Sequence, residues 1–146
     1  MLLVRVLREV LSIAPIVREQ SAMITGVKDV YYNVADMRAA VGFYTDVLGM
    51  RVVYESEYWT ALSLGGLHIG LHWNEGESVP QVPYDSHGAH CGATLTLATD
   101  DIDIDTQHLL DRQVEVIGRL DEPWGRLTVF KDLDGNVLKL MQQPDH

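Results

Sequence analysis

The side chains best suited to chemistry in this sequence are His68 and His72, with Asp29, Tyr31, Asn33 and Trp59 at alternating positions of stretches that read as strands. An imidazole titrates near neutrality, so His72 is the candidate for ligand contact or acid–base duty. His68 shares its strand face at a spacing of four residues. Along an extended chain that is about 13 Å, too far for the pair to chelate one ion. His87 and His90 fall in a glycine-containing stretch and read as solvated loop residues, and His108 and His146 as bystanders. Tyr31 and Trp59 offer a stacking surface for a planar ligand, whereas Trp73 reads as core-facing. No Ser–His–Asp spacing, phosphate-binding glycine loop or Cys–His pair stands out.

These residues must be held by the elements around them, and the stretch 36–54, DMRAAVGFYTDVLGMRVVY, sets their register. Asp36 is a good N-cap. Met37, Ala40, Val41, Tyr44, Val47 and Leu48 then form an apolar stripe at helical spacing, which predicts a helix of about three turns. Gly49 stops it, and Val52, Val53 and Tyr54 begin a strand. Upstream, 27–35 alternates with Val30, Tyr32 and Val34 on one side and Asp29, Tyr31 and Asn33 on the other. Strands are expected at 51–55, 58–64 and 67–73, with Gly65-Gly66 as a hairpin turn. Leu62, Leu64, Ile69 and Leu71 would face the helix, leaving Trp59, Ala61, Ser63, His68, Gly70 and His72 on the opposite face.

Residues 74–91 are rich in proline, glycine and small polar groups and read as a linker. Beyond it the pattern repeats: a strand at 93–99, a helix capped by Asp100 or Asp101 and running to about Arg112, and strands at 114–116, 127–131 and 137–142. Asp29 against Thr94 and Asp36 against Asp101 stand at the same offset, a weak internal duplication. The expected fold is α+β: two repeated βαβββ modules, 24–73 and 92–143, forming curved mixed sheets around a ligand cleft with helices on the outside. Both belong to one domain spanning 23–146.

FYTDVLGM at 43–50, preceded by VYYNVADM at 30–37, resembles the vicinal-oxygen-chelate superfamily of glyoxalase I, bleomycin-resistance proteins and extradiol dioxygenases. PWGRLTVFKDLDGNVLKLMQ at 123–142 is similar to that superfamily's closing hairpin, with Leu133 where its D-P-D-G-N turn has proline. The resemblance spans roughly 24–143. It implies a fold more than a reaction, since one scaffold hosts several chemistries. The superfamily's metal enzymes hold a divalent ion with His or carboxylate side chains, and those positions fall here on Asp29, Gly70, Thr94 and Lys139. A lysine ammonium has three donors and no lone pair, and glycine offers no side chain, so a metal site of the family type is not expected and no cofactor is implied. The expected role is to bind a small organic molecule, cationic or aromatic, through Asp29, Tyr31, Asn33, Trp59, His72, Thr94 and Lys139. The alternative is an enzyme: a metal-dependent glyoxalase-type lyase or dioxygenase, or a metal-free acid–base catalyst using Asp29, His72 and Lys139. Proteins resembling this one usually pair, so a homodimer is expected, with Lys139 near the family's metal position and paired with Asp29.

Composition is consistent with a single globular domain: 146 residues, 47% apolar and 22% charged, are enough for a sizeable core. A net charge of −10 disfavours nucleic acid and anionic membrane as partners and suits a cationic ligand, although solubility alone accounts for it. Cys91 is the only cysteine, so no intrachain disulfide is possible and a cytoplasmic setting is expected. No apolar run approaches the roughly 20 residues of a membrane span. Residues 1–22 carry Leu3, Leu7, Val10, Leu11 and Ala14 at helical spacing before Pro15. They read as an N-terminal extension, either an extra helix or an early start with Met23 opening the domain.

Overall fold

The computed structural model describes residues 28–81, 83–85, 88–89 and 93–145. The N-terminal segment, His87, His90, Cys91 and His146 lie outside the described residues. The first module runs β1 (Val30–Val34), α1 (Met37–Gly42), a π-helical turn (Phe43–Val47), β2 (Arg51–Glu55), β3 (Trp59–Leu64) and β4 (Leu67–Trp73). A two-stranded hairpin, β5 (Tyr84–Asp85) with β6 (Gly88–Ala89), lies within what the sequence reads as linker. The second module runs β7 (Leu95–Ala98), α2 (Ile102–Asp111), β8 (Val116–Glu122), β9 (Gly125–Lys131) and β10 (Val137–Gln142).

The two modules have the same topology. One sheet is ordered β1-β4-β3-β2 and the other β7-β10-β9-β8; in each, the first strand runs parallel to the last and the other pairs are antiparallel. A parallel partner needs a crossover, which α1 or α2 supplies. Asp36 caps α1 by accepting from the Ala39 N–H, and Asp101 caps α2 by accepting from Asp103 and Ile104. Gly65 and Gly66 join β3 to β4 with φ of 56° and 85°, the left-handed pair that a two-residue hairpin matching strand twist requires.

Several elements differ from expectation: β1 and β7 are shorter, β9 starts two residues earlier, and β8 runs to Glu122 where the strand is expected to end at 116. The first helix widens into a π turn after Gly42, where a uniform α-helix is expected. Thr45 Oγ1 donates to Val41 O at 2.8 Å, and Phe43 and Tyr44 at the start of the π turn are both buried in the core. β8 begins at Val116, two residues beyond the expected strand start, while Val114 is buried in the preceding turn.

Helix-facing residues of both modules merge into one apolar cluster that includes Val34, Tyr44, Leu62, Leu71, Leu109, Phe130 and Leu138. Leu64, at its strand end, is 37% exposed rather than packed on the helix. Polar ties cross the same boundary. Asp132 is buried, and its carboxylate accepts from the Tyr44 hydroxyl at 2.8 Å, from Asn136 Nδ2 at 2.8 Å and from the backbone N–H groups of Asp134 and Asn136 at 2.9 Å. Burial beside that carboxylate pushes the Tyr44 hydroxyl well above its ordinary pKa, so it stays a donor. Asp134 Oδ1 accepts from Ala35 N at 2.8 Å, and Asn136 Nδ2 donates to Asn33 O at 3.0 Å. The 132–136 turn of module two thus grips the end of β1 in module one. No helix among the described residues is long and apolar enough to cross a membrane.

Candidate functional site

Strand alternation turns Tyr31 and Asn33 of β1, His68, Gly70 and His72 of β4, and Trp59, Ala61 and Ser63 of β3 to the face of the first sheet away from α1. Three rings meet there. Tyr31 and Trp59 stand edge to face with centroids 5.5 Å apart, and His72 lies 5.9 Å from Tyr31 and 6.4 Å from Trp59. Tyr31 is 52% exposed, so the cluster is open to a ligand. Asn33 Oδ1 meets His72 Nδ1 at 3.2 Å, across the register that pairs the two residues.

Gly70 makes this arrangement possible. A Cβ there would fall onto Trp59 Cζ2 and Cη2 and within 3.0 Å of Tyr31 Cβ. The indole therefore occupies the space into which any side chain at position 70 would project.

Four of the residues expected at the site, Tyr31, Asn33, Trp59 and His72, are brought together. Asp29 immediately precedes β1. Thr94 immediately precedes β7, and Lys139 lies on β10 in the second sheet. Within the chain Asp29 and Lys139 form no ion pair; the pairs among the described residues are Arg126 with Asp103 and Asp121, and Lys131 with Glu115. Lys139 lies in the second sheet, whereas Asp29 leads into the first.

The parallel register adds one residue, Thr96, to those expected at the site. Tyr31, not Asp29, stands opposite Gly70, and Thr96, not Thr94, stands opposite Lys139. Register between strands so distant in sequence leaves no local mark, and only the internal duplication, which places Thr96 where Tyr31 stands, hints at it. A divalent ion fits neither set. Glycine lacks a donor, its space is taken by the indole, and a lysine ammonium repels a cation. Among the described residues no three His, Cys, Asp or Glu side chains converge.

The second sheet carries its own hollow of about 600 Å³, lined by Thr96, Ala98, Asp100, Met141, Gln142 and Asp145 among others. It is polar and open, and Gln142 Oε1 accepts from the Ile102 N–H at the start of α2.

A paired βαβββ fold with an open sheet face is that of the glyoxalase-like proteins, and residues 26–140 match the profile of the Glyoxalase/Bleomycin resistance protein/Dioxygenase superfamily. The chain belongs to that superfamily. It is 28% identical over 120 residues to the metallothiol transferase FosB of Staphylococcus haemolyticus, covering 81% of this chain and 84% of that protein. Among solved structures it is similar to TnmS3, an antibiotic binding protein from Streptomyces sp. CB03234, with 28% identity, coverage of 84% and 99%, and a TM-score of 0.63. The fosfomycin resistance protein FosX of Listeria monocytogenes shares the fold at a TM-score of 0.66 and 18% identity, over 84% of this chain and 96% of that one.

Proposed function

We propose that this chain is a metal-free member of the superfamily that binds a small organic molecule through an aromatic part, on the face formed by Tyr31, Trp59 and His72. The observation that carries this reading is the Trp59 indole lying over Gly70: the space of a metal ligand is given to a stacking surface. Aromatic faces bury large areas at low entropic cost and prefer edge or offset contact with other rings. The likeness to TnmS3, a protein named for antibiotic binding, supports the same reading. Asp29, Asn33, Thr94 and Lys139 complete the proposed ligand surface. In this reading the active species is a homodimer, the partner's second module completing the ligand surface.

The likeness to FosB, a metallothiol transferase, supports an enzymatic alternative, a metal-dependent lyase or dioxygenase of the glyoxalase type. Elemental analysis of protein purified without chelator separates the two. Less than a tenth of an equivalent of Zn, Mn, Fe or Ni after dialysis is the expected result, and a stoichiometric metal would overturn the metal-free reading. In parallel, Trp59→Ala is expected to weaken binding of a naphthalene probe at least tenfold by calorimetry.

A further inference from the structure

The hydrogen bond between Asn33 and His72 narrows the chemistry of the ligand. In neutral imidazole one ring nitrogen carries the proton and the other is an acceptor. Asn33 presents its carbonyl oxygen, an acceptor, to His72 Nδ1 at 3.2 Å. With the carbonyl so placed, the contact selects the tautomer that carries its proton on Nδ1, whose Nε2, bonded to no other described residue, offers a lone pair. Asn33 is itself fixed, because its backbone carbonyl accepts from Asn136 Nδ2 at 3.0 Å and its strand is paired to β4. The imidazole is exposed and stands within 6.4 Å of both other rings of the cluster.

A second observation disfavours a cation as the occupant. By alternation the same face carries Arg51, which donates to Ser63 Oγ at 3.5 Å, together with His68 and His72. β1 itself carries no carboxylate, and Asp29 stands just before it. The chain's overall charge of −10 is therefore not concentrated here.

We infer that Asn33 acts as a positioning residue that locks His72 as a hydrogen-bond acceptor, and that the ligand is a flat aromatic molecule bearing an O–H or N–H donor at its edge. The rings hold the flat part and His72 Nε2 takes the donor. This rests on the binding reading above and specifies its ligand class.

The first test needs no ligand. Long-range ¹H–¹⁵N spectra of the imidazoles at pH 8 are expected to place the His72 proton on Nδ1 and to shift it toward Nε2 in Asn33→Ala. A wild-type spectrum with the proton on Nε2 overturns the inference. The second test compares 2-naphthol, 2-methoxynaphthalene and naphthalene by calorimetry. Naphthol is expected to bind about tenfold tighter than its methyl ether, the effect of one hydrogen bond. In His72→Phe that ratio is expected to fall to about one. Binding of all three probes without preference, or a preference that survives His72→Phe, overturns this inference alone. Failure of every probe to bind overturns the binding reading and this inference with it.

Discussion

Gly70 contributes to the candidate site by what it lacks, since the missing Cβ is what lets the Trp59 indole lie over β4 beside Tyr31. A Gly70→Ala change cannot be absorbed by a flexible chain end, because the atoms it meets belong to a rigid ring. The indole must swing away. Overpacking of this kind costs about 1–3 kcal/mol, and thermal denaturation should register it. The same variant is expected to lose at least tenfold in affinity for 2-naphthol. A crystal structure of Gly70→Ala with Trp59 unmoved would contradict the account.

At the scale of elements, the 132–136 turn joins the modules, and Asp132 is its centre. Burial raises the Asp132 pKa above the ordinary carboxylate value, against the opposing pull of donors from Asn136, Tyr44 and the turn backbone. A folded-state pKa above the unfolded value means that the folded chain holds the proton more tightly. The stability linked to that proton is fully present below the ordinary range near pH 4 and is lost as pH rises through the folded value. Asp132→Asn does not titrate there and leaves some of the four donors unpaired, so it is expected to be less stable by about 2 kcal/mol. That deficit should be larger near pH 4 than at pH 8, as measured by urea unfolding. A deficit that grows with pH would contradict the assignment. The N-cap of α2 is independent of this turn, and Asp101→Ala is expected to cost about 1 kcal/mol in the same unfolding measurement.

For the whole molecule, the open aromatic face and the second sheet's hollow lie on separate sheets, and each is accessible in the single chain. Tyr31 and Tyr54, both in register with the outward face of the first sheet, are 52% and 58% exposed, apolar surface that favours burial against a partner. A symmetric pair would cover it twice with one contact. Light scattering is expected to return twice the chain mass of 16.4 kDa, unchanged on dilution through the micromolar range. A mass of one chain at every concentration would contradict it.

Much of the fold is legible in the sequence because periodicity reports which side of an element is buried. The bounds of β2, β4 and β10, the Gly65-Gly66 hairpin, the caps Asp36 and Asp101 and the outward face bearing Tyr31, Trp59 and His72 all follow from local pattern. The π turn does not, since the stripe Met37, Ala40, Val41, Tyr44, Val47 and Leu48 fits an uninterrupted α-helix and the widening leaves no mark in it. The buried Asp132 is equally hidden: its turn motif is visible, but Tyr44 lies 88 residues away. The pairing of Tyr31 with Gly70 and of Thr96 with Lys139 is set by how a helix packs its crossover onto the sheet. Local sequence determined which residues face outward from each sheet. Only tertiary packing decided which of them stand opposite one another, because strand register depends on contacts between segments that share no local pattern.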